Sequence, residues 1–390
     1  MQRLFLPVGQ GAFYCEKFSE EDFCGKVNVV YDCGSISGLK ALKSTIEWAF
    51  EKNEPIDAVF LSHLHEDHIN GLPLLMRRCD VKRVYLPMIT VDDLALMRLA
   101  YGVQRHPKPS PYEDIQDEYY MAERFVDDVM RGPVDAIRRH YSEYSQDHGS
   151  AIEVVAIPMV NDDGILETAR VTSRAVFGNK VGDGFLPKWI YAPFNIRNVL
   201  EAERVKQRFV HSFGSDMSPS RIANLIGEAD RGKDILDKIR GLYKGIRGGF
   251  NANSMTLYSG AADSAVRQYP DVGVSVFEQF KYIIPDCTES GGLFTGDFLA
   301  ADSKPYWSEL KAAYCKFWPS IGCVQVPHHG SPYNFNEDLL EMKAYNVISV
   351  GFGNMYHHPS NAVVSRYLAR QTFPFIVTQS PNSIFSTTVK

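Results

Sequence analysis

The chain has 390 residues, room for two or three domains, or for one large domain with insertions, at about 100–200 residues per domain. Hydrophobic residues make up 45% and charged residues 23%, which excludes a disordered, collagenous or fibrous chain. Net charge is −6, so bulk electrostatics would not hold a nucleic acid, and any such contact has to be local.

The first 35 residues read as β structure: LFLPV, the turn GQG, AFY and then VNVVYDCGS are short apolar runs bounded by glycine. Leu39, Leu42, Ile46 and Phe50 recur every three or four residues and predict a helix. IDAVFLS is a nearly continuous apolar run, the pattern of a buried parallel strand. INGLPLLMRR reads as the next helix and VKRVYLP as the next strand. Alternating strands and helices with short links imply a layered α/β core. The pattern returns late in YIIPD, GGLFTGD, CVQVPHHGS and AYNVISVGFG, with helical stretches at SKPYWSELKAAY and NEDLLEMKAY.

The middle differs. Residues 113–148 hold ten acidic residues against four arginines and read as a solvated helical insertion broken at Gly132-Pro133. Residues 200–248 hold ten Lys/Arg against seven acids and also read as helical, with SPSR starting one helix. The expected organisation is a single domain over 1–390 with helical insertions at about 90–150 and 200–248.

No stretch approaches the roughly 18 consecutive apolar residues of a membrane span. The opening MQRLFLPVGQGAFY lacks a basic stretch followed by a long apolar one, so no secretory signal is expected. The seven cysteines are odd in number and scattered, with no CxxC pair, which suits a reduced cytoplasmic setting better than a disulfide framework.

The chemistry concentrates after IDAVFLS, in His63-Leu64-His65-Glu66-Asp67-His68. A strand end alternates its side chains, so His63 and His65 can point the same way. A turn into a helix then brings Asp67 and His68 to the same cavity. Four such ligands can hold two adjacent metal ions, His63 and His65 on one, Asp67 and His68 on the other. The competing reading is a histidine-rich surface loop, which HxHxDH directly after an apolar strand disfavours.

HxHxDH is the motif of the metallo-β-lactamase superfamily, and the chain resembles that family. VGQG, YDCGS around Asp32, NANS around Asn253, LFTGDF around Asp297, VPHHGS around His328 and His329, and YHHPS around His358 follow in order. As a set they resemble one branch, the hydrolase domain of the bacterial DNA-uptake channel ComEC and its free-standing relatives. The resemblance covers both ends of the chain and neither insertion. It implies an αββα sandwich with two divalent metal ions, Zn²⁺ or Mn²⁺, at one edge. It implies that Asp297 bridges the metals, and that Asp32 lies beneath the site and fixes a ligand histidine. Asn253 stands where many members have a histidine. An amide oxygen binds zinc more weakly, which would favour Mn²⁺ or a weaker second metal. His106, His140, His148 and His211 are alternatives there, each expected as a surface histidine.

Of the late histidines, His328 is expected as a ligand, His329 beside the substrate oxygens and His358 as a donor lining the site, with His357 on the surface. Asp67 would orient a metal-activated hydroxide for attack, and one of the three late histidines would assist the leaving group. Gly330-Ser331 would bind a phosphate oxygen, unless HHGS is merely a tight turn. The expected activity is a phosphodiesterase or nuclease acting on DNA or another nucleotide substrate. Its basic run Lys233, Lys238, Arg240, Lys244 and Arg247 either reaches the site mouth or is a solvated helix face. The alternatives are a hydrolase of a non-nucleotide ester or lactone, and a regulatory protein whose insertions bind a protein partner.

Overall fold

The computed structural model describes residues 1–19, 26–103, 116–144, 151–159, 189–215, 218–219, 221–222, 232–243, 253–271 and 286–390. Three strands come first: β1 (Gln2–Phe5), β2 (Gly11–Phe18) and β3 (Val27–Ser35). Helix α1 (Leu39–Ala49) follows, then β4 (Pro55–Ile56), β5 (Ala58–Phe60), α2 (Glu66–Ile69), α3 (Leu72–Arg78), β6 (Asp80–Val81) and β7 (Arg83–Pro87). Next come α4 (Val91–Val103), α5 (Gln116–Val129), α6 (Pro133–Tyr144), β8 (Glu153–Ile157), β9 (Trp189–Arg197), α7 (Val199–Phe213) and α8 (Gly232–Tyr243). The rest comprises β10 (Asn253–Ala261), β11 (Arg267–Pro270), β12 (Thr288–Glu289), β13 (Gly291–Phe294), α9 (Tyr306–Ala313), β14 (Ile321–Gln325), α10 (Asp338–Glu341), β15 (Tyr345–Ser349), α11 (Asn361–Ala369), β16 (Phe375–Val377) and β17 (Phe385–Val389).

Nine of the described strands form one mixed sheet, in the order β12-β11-β17-β1-β2-β3-β5-β7-β8, and six form a second, in the order β16-β15-β14-β13-β10-β9. Strand alternation assigns the faces. In β2, Ala12 and Tyr14 point between the sheets, whereas Phe13 and Cys15 point to the outer layer. Phe5, Tyr31, Phe60, Tyr191, Leu257, Phe294 and Val347 complete the inter-sheet core. The outer face of the first sheet packs on α1 and α3–α8 through residues such as Ile46, Leu75, Leu96, Phe125, Ile137, Val205 and Ile239. The outer face of the second packs on α9, α10 and α11 through Trp307, Leu310, Leu339 and Tyr367. The result is an αββα sandwich, the architecture that the resemblance implies.

Both faces of each sheet are covered. That is why β3, β14 and β15 are buried at every position, their few polar side chains included. Strands β3, β5 and β7 run parallel to one another, as do β13, β14 and β15, so the C-terminal ends in each set share one edge.

The acidic insertion is not solvated all round. One face of α5 and α6 is buried, and both helices pack against α3. Strands β9 and β10 pair over nine residues, although the sequence pattern did not reveal them. Pro193 lies inside β9, which is tolerated because β9 is an edge strand. The expected strand YIIPD falls almost entirely outside the described residues. No helix among the described residues is long and apolar enough to cross a membrane.

Candidate metal centre

Strand β5 ends at Phe60, three residues before His63, and α2 then turns Asp67 and His68 back towards it. The rings of His63 and His65 lie 4.6 Å apart, and those of His63 and His68 lie 4.1 Å apart. Helix α2 rests directly on β3. A Cβ at Gly34 would lie 2.5–2.6 Å from the backbone of Asp67 and His68, so a side chain there would displace two site residues.

Beneath this turn sits Asp32, fully buried, with a left-handed backbone (φ 54°). Its carboxylate accepts from the Ser62 N–H and the Ser62 hydroxyl, each at 2.7 Å, and pairs with His68 Nδ1 at 2.8 Å. Since the single Ser62 hydroxyl proton goes to Asp32, the Ser62 oxygen accepts from His63 Nδ1, 2.9 Å away. Both rings are therefore anchored by Nδ1, and each aims its Nε2 into the site.

The second sheet supplies the other half. The backbone N–H groups of Thr295 and Gly296 both donate to Gln325 Oε1 at 2.9 Å, which fixes the turn that presents Asp297. Asn334 Nδ2 donates to the Asp297 carbonyl at 3.1 Å. After β14, His328 (φ 49°), His329 (φ 54°) and Gly330 (φ 77°) are consecutively left-handed. Such a backbone costs about 1–2 kcal/mol per non-glycine residue, so neighbouring contacts must hold it. The His328 N–H donates to the Gly296 carbonyl at 3.0 Å, and His329 Nδ1 donates to the Ser349 carbonyl at 2.8 Å.

The two halves meet at Asp297. Its Oδ2 faces His63 Nε2 (3.6 Å) and His328 Nε2 (3.5 Å). Its Oδ1 faces His68 Nε2 (3.3 Å) and His329 Nε2 (3.9 Å). Asp67 Oδ2 joins the second group, 3.3 Å from His329 Nε2 and 3.9 Å from His68 Nε2. His65 lies in a set with His63 and Asp297, and His63 also in a set with Asp67 and His68, the ligand atoms of each set all within 4.8 Å of one another.

Residues 25–135 match the model of the Metallo-beta-lactamase superfamily. The match spans under a third of the chain, and over that stretch the chain is similar to this superfamily. It is also similar to Ribonuclease J of Mycoplasma pneumoniae, 33% identical over 70 residues, and to Ribonuclease J of Mycoplasma genitalium, 31% identical over 70 residues. Each match covers 16% of this chain and 12% of the relative's length. Among solved structures, metallo-beta-lactamase SMB-1 bound to 2-mercaptoethanesulfonate is 10% identical with a TM-score of 0.29, covering 84% of this chain and 80% of that one. MIM-1 from Novosphingobium pentaromativorans is 12% identical with a TM-score of 0.29, covering 95% and 89%.

The superfamily implies a divalent metal, and the residues here suit one. The buried atoms His63 Nε2, His68 Nε2 and Asp297 Oδ1 have no hydrogen-bond partner of acceptable geometry among the described residues, although such atoms are costly to leave bare. Imidazole nitrogens and carboxylate oxygens are the donors that Zn²⁺ and Mn²⁺ accept. Charge tells the same story. Burial would depress His68, yet Asp67, Asp32 and Asp297 raise its pKa well above the usual value. Burial would raise Asp297, yet His328, His68 and His63 hold it well below the usual carboxylate range. Burial and the neighbouring His68 keep His63 well below its usual value, so its ring is neutral. Three carboxylates crowding one buried imidazole are an excess of negative charge that a cation offsets.

His63, His65, Asp67, His68, Asp297, His328 and His329 converge, and Asp32 pairs with His68 Nδ1. His329, expected beside the substrate, instead stands within the ring of candidate ligands, because Ser349 holds its Nδ1 and aims Nε2 at Asp67. His358 lies next to His328, with ring centroids 5.7 Å apart, and its pKa is lowered to about 4 by burial and then by His328 and His329. Ser331 departs from expectation. It is buried, and its hydroxyl accepts from the Tyr333 N–H at 3.4 Å, so it serves the turn.

Asn253 begins β10, but its side chain lies outside the described residues, as do His106 and His148. His140 is no surface histidine: it is fully buried, held by Asp128 and Tyr144 at 2.8 and 2.9 Å. His211 and His357 are exposed. In the basic run, Lys238 and Arg240 are exposed and Arg240 pairs with Asp237 within its own helix. The side chains of Lys233, Lys244 and Arg247 lie outside the described residues. Ser62, Gln325 and Ser349 were missed. Nothing marks a serine or glutamine as an anchor until the fold sets it against its partner.

Proposed function

We propose that this chain is a metal-dependent phosphodiesterase acting on a nucleic acid or nucleotide, with two divalent cations, Zn²⁺ or Mn²⁺. The observation that carries the reading is the division of ligands about Asp297. His63 and His328 face its Oδ2, with His65 clustered beside His63, and His68 and His329 face its Oδ1, with Asp67 beside them. One position would be held by each set, with the Asp297 carboxylate between them. When bound, such a pair supplies positive charge that acidifies water and stabilises charge developing on a phosphoryl group.

The chain's own residues do the positioning. Asp32 and Ser62 set the ring planes of His68 and His63. Ser349 anchors His329 through Nδ1 and so turns its Nε2 towards Asp67. His65, Asp67 and His328 retain partial exposure, so substrate reaches the centre from that side. Support for a nucleotide substrate comes from the ComEC-like motif order and from the matching relatives being named ribonucleases.

The test is metal analysis of the purified chain, followed by assays of bis-p-nitrophenyl phosphate, single-stranded RNA, single-stranded DNA and a lactone. Each is run with Mn²⁺ and with Zn²⁺. We expect bound metal and phosphodiester cleavage, reduced at least about 100-fold in Asp67→Ala and His65→Ala, as for loss of a group that acts directly in catalysis. Cleavage of the lactone alone would overturn the reading.

A further inference from the structure

The segment between β15 and His358 carries exposed apolar side chains at the edge of the metal centre: Phe352, Met355 and Tyr356 are 68%, 74% and 50% exposed. Scattered exposed aromatics need no explanation, but Tyr356 is placed differently from its neighbours. Its ring lies nearly parallel to that of His358, at 15° and 6.0 Å between centroids. The His358 ring is in turn 5.7 Å from that of His328. Three rings thus step from the candidate ligands to the surface.

One face of the Tyr356 ring is backed by His358, which holds its plane, while half of the residue remains open to solvent. A flat, uncharged, pre-oriented ring beside a phosphate-accepting centre is a platform for a nucleobase. Every base has a π-face, so such a platform selects for unpaired bases without reading their sequence.

We propose that Tyr356 is a specificity-determining residue whose open face stacks on the base adjoining the scissile phosphate, making the substrate a single-stranded oligonucleotide. This rests on the phosphodiesterase reading above. A stacked base is worth roughly 5- to 150-fold in binding by alanine substitution. The segment's other exposed side chains, Phe352 and Met355, lack a ring partner among the described residues and carry no such assignment.

The experiment uses the metal-loaded enzyme and a short single-stranded oligomer of whichever type, RNA or DNA, the wild type cleaves. A second oligomer carries abasic sugars on both sides of the cleaved bond. For the wild type, KM should be about tenfold higher on the abasic oligomer. Tyr356→Ala should raise KM on the intact oligomer about tenfold, keep kcat within twofold, and leave KM on the abasic oligomer unchanged. Tyr356→Phe should match the wild type on both. An unchanged KM for Tyr356→Ala on the intact oligomer, or an equal loss on both oligomers, overturns the stacking role and leaves the phosphodiesterase reading standing. A wild type that binds metal but cleaves no oligonucleotide overturns both.

Discussion

Asp32 shows how much one buried side chain can organise. It takes three polar contacts at 2.7–2.8 Å, from the Ser62 N–H, the Ser62 hydroxyl and His68 Nδ1. Each contact fixes something nearer the centre: the backbone before His63, the proton that lets Ser62 accept from His63, and the tautomer of His68. Asparagine is nearly isosteric and tolerates the left-handed backbone at this position, so Asp32→Asn tests the carboxylate without adding strain. Its amide would put a donor where Asp32 meets donors, and His68 would lose its fixed tautomer. Removing such an orienting partner typically costs 10- to 100-fold in metal affinity. We expect a loss of about that size, measured by competition with a chromophoric chelator, with an unchanged far-ultraviolet circular dichroism spectrum. Wild-type affinity in the variant would show that His68 is oriented by packing alone.

At the scale of elements, the acidic insertion is fastened to the core by charge as well as by its buried face. Glu118, in the first turn of α5, pairs with Lys43 of α1 at 2.8 Å and Arg77 of α3 at 3.1 Å. Its hydrogen bond to Lys43 leads in holding its pKa down to about 2, with Arg77 contributing, against burial that would raise it. A depressed carboxylate stabilises the fold at pH above its unfolded value of about 4.5, and the gain is lost as pH falls towards 2. Both cations are partly exposed, so the worth is about 1 kcal/mol. Glu118→Gln should therefore melt about 1–2 °C lower than the wild type at pH 7, and the gap should close between pH 5 and pH 2. A gap that persists at pH 2 would assign the loss to packing.

The same scale shows what the sequence could reveal. Leu39, Leu42, Ile46 and Phe50 announced α1, and the nearly continuous apolar run IDAVFLS announced β5, because burial on one face leaves a periodic trace and burial on both leaves an apolar one. HxHxDH and TGD announced their parts of the site because the donors sit within a few residues of one another. Strands β9 and β10 stayed hidden because the sequence reading had no local turn to join them: each finds its partner across some fifty intervening residues. His140 was misjudged for a related reason, since its partner Asp128 lies on the preceding helix and becomes its neighbour only when α5 and α6 pack.

Across the whole molecule, the two sheets need an alignment that apolar packing alone does not specify. Arg3, fully buried on β1, donates through Nε to Glu16 Oε1 at 2.9 Å and through its terminal nitrogens to Gln268 Oε1 and the Ser290 and Ser259 carbonyls. The other Glu16 oxygen accepts from the Tyr191 and Ser259 hydroxyls at 2.9 and 2.6 Å. These partners come from both sheets, and Gly292 leaves the room: a Cβ there would lie 2.8 Å from the Arg3 guanidinium carbon. The network sits at the start of β13, whereas Asp297 follows its end, so it acts on the sandwich and not on the site. Breaking a buried pair from one side strands a charge and costs about 3–5 kcal/mol, while replacing both partners with apolar residues is often neutral. Arg3→Met should therefore lower the urea midpoint strongly. Arg3→Met combined with Glu16→Leu should recover part of the loss, while metal affinity per folded molecule stays unchanged in both. A single variant that unfolds at the wild-type midpoint would show that the aromatic core between the sheets sets their alignment unaided.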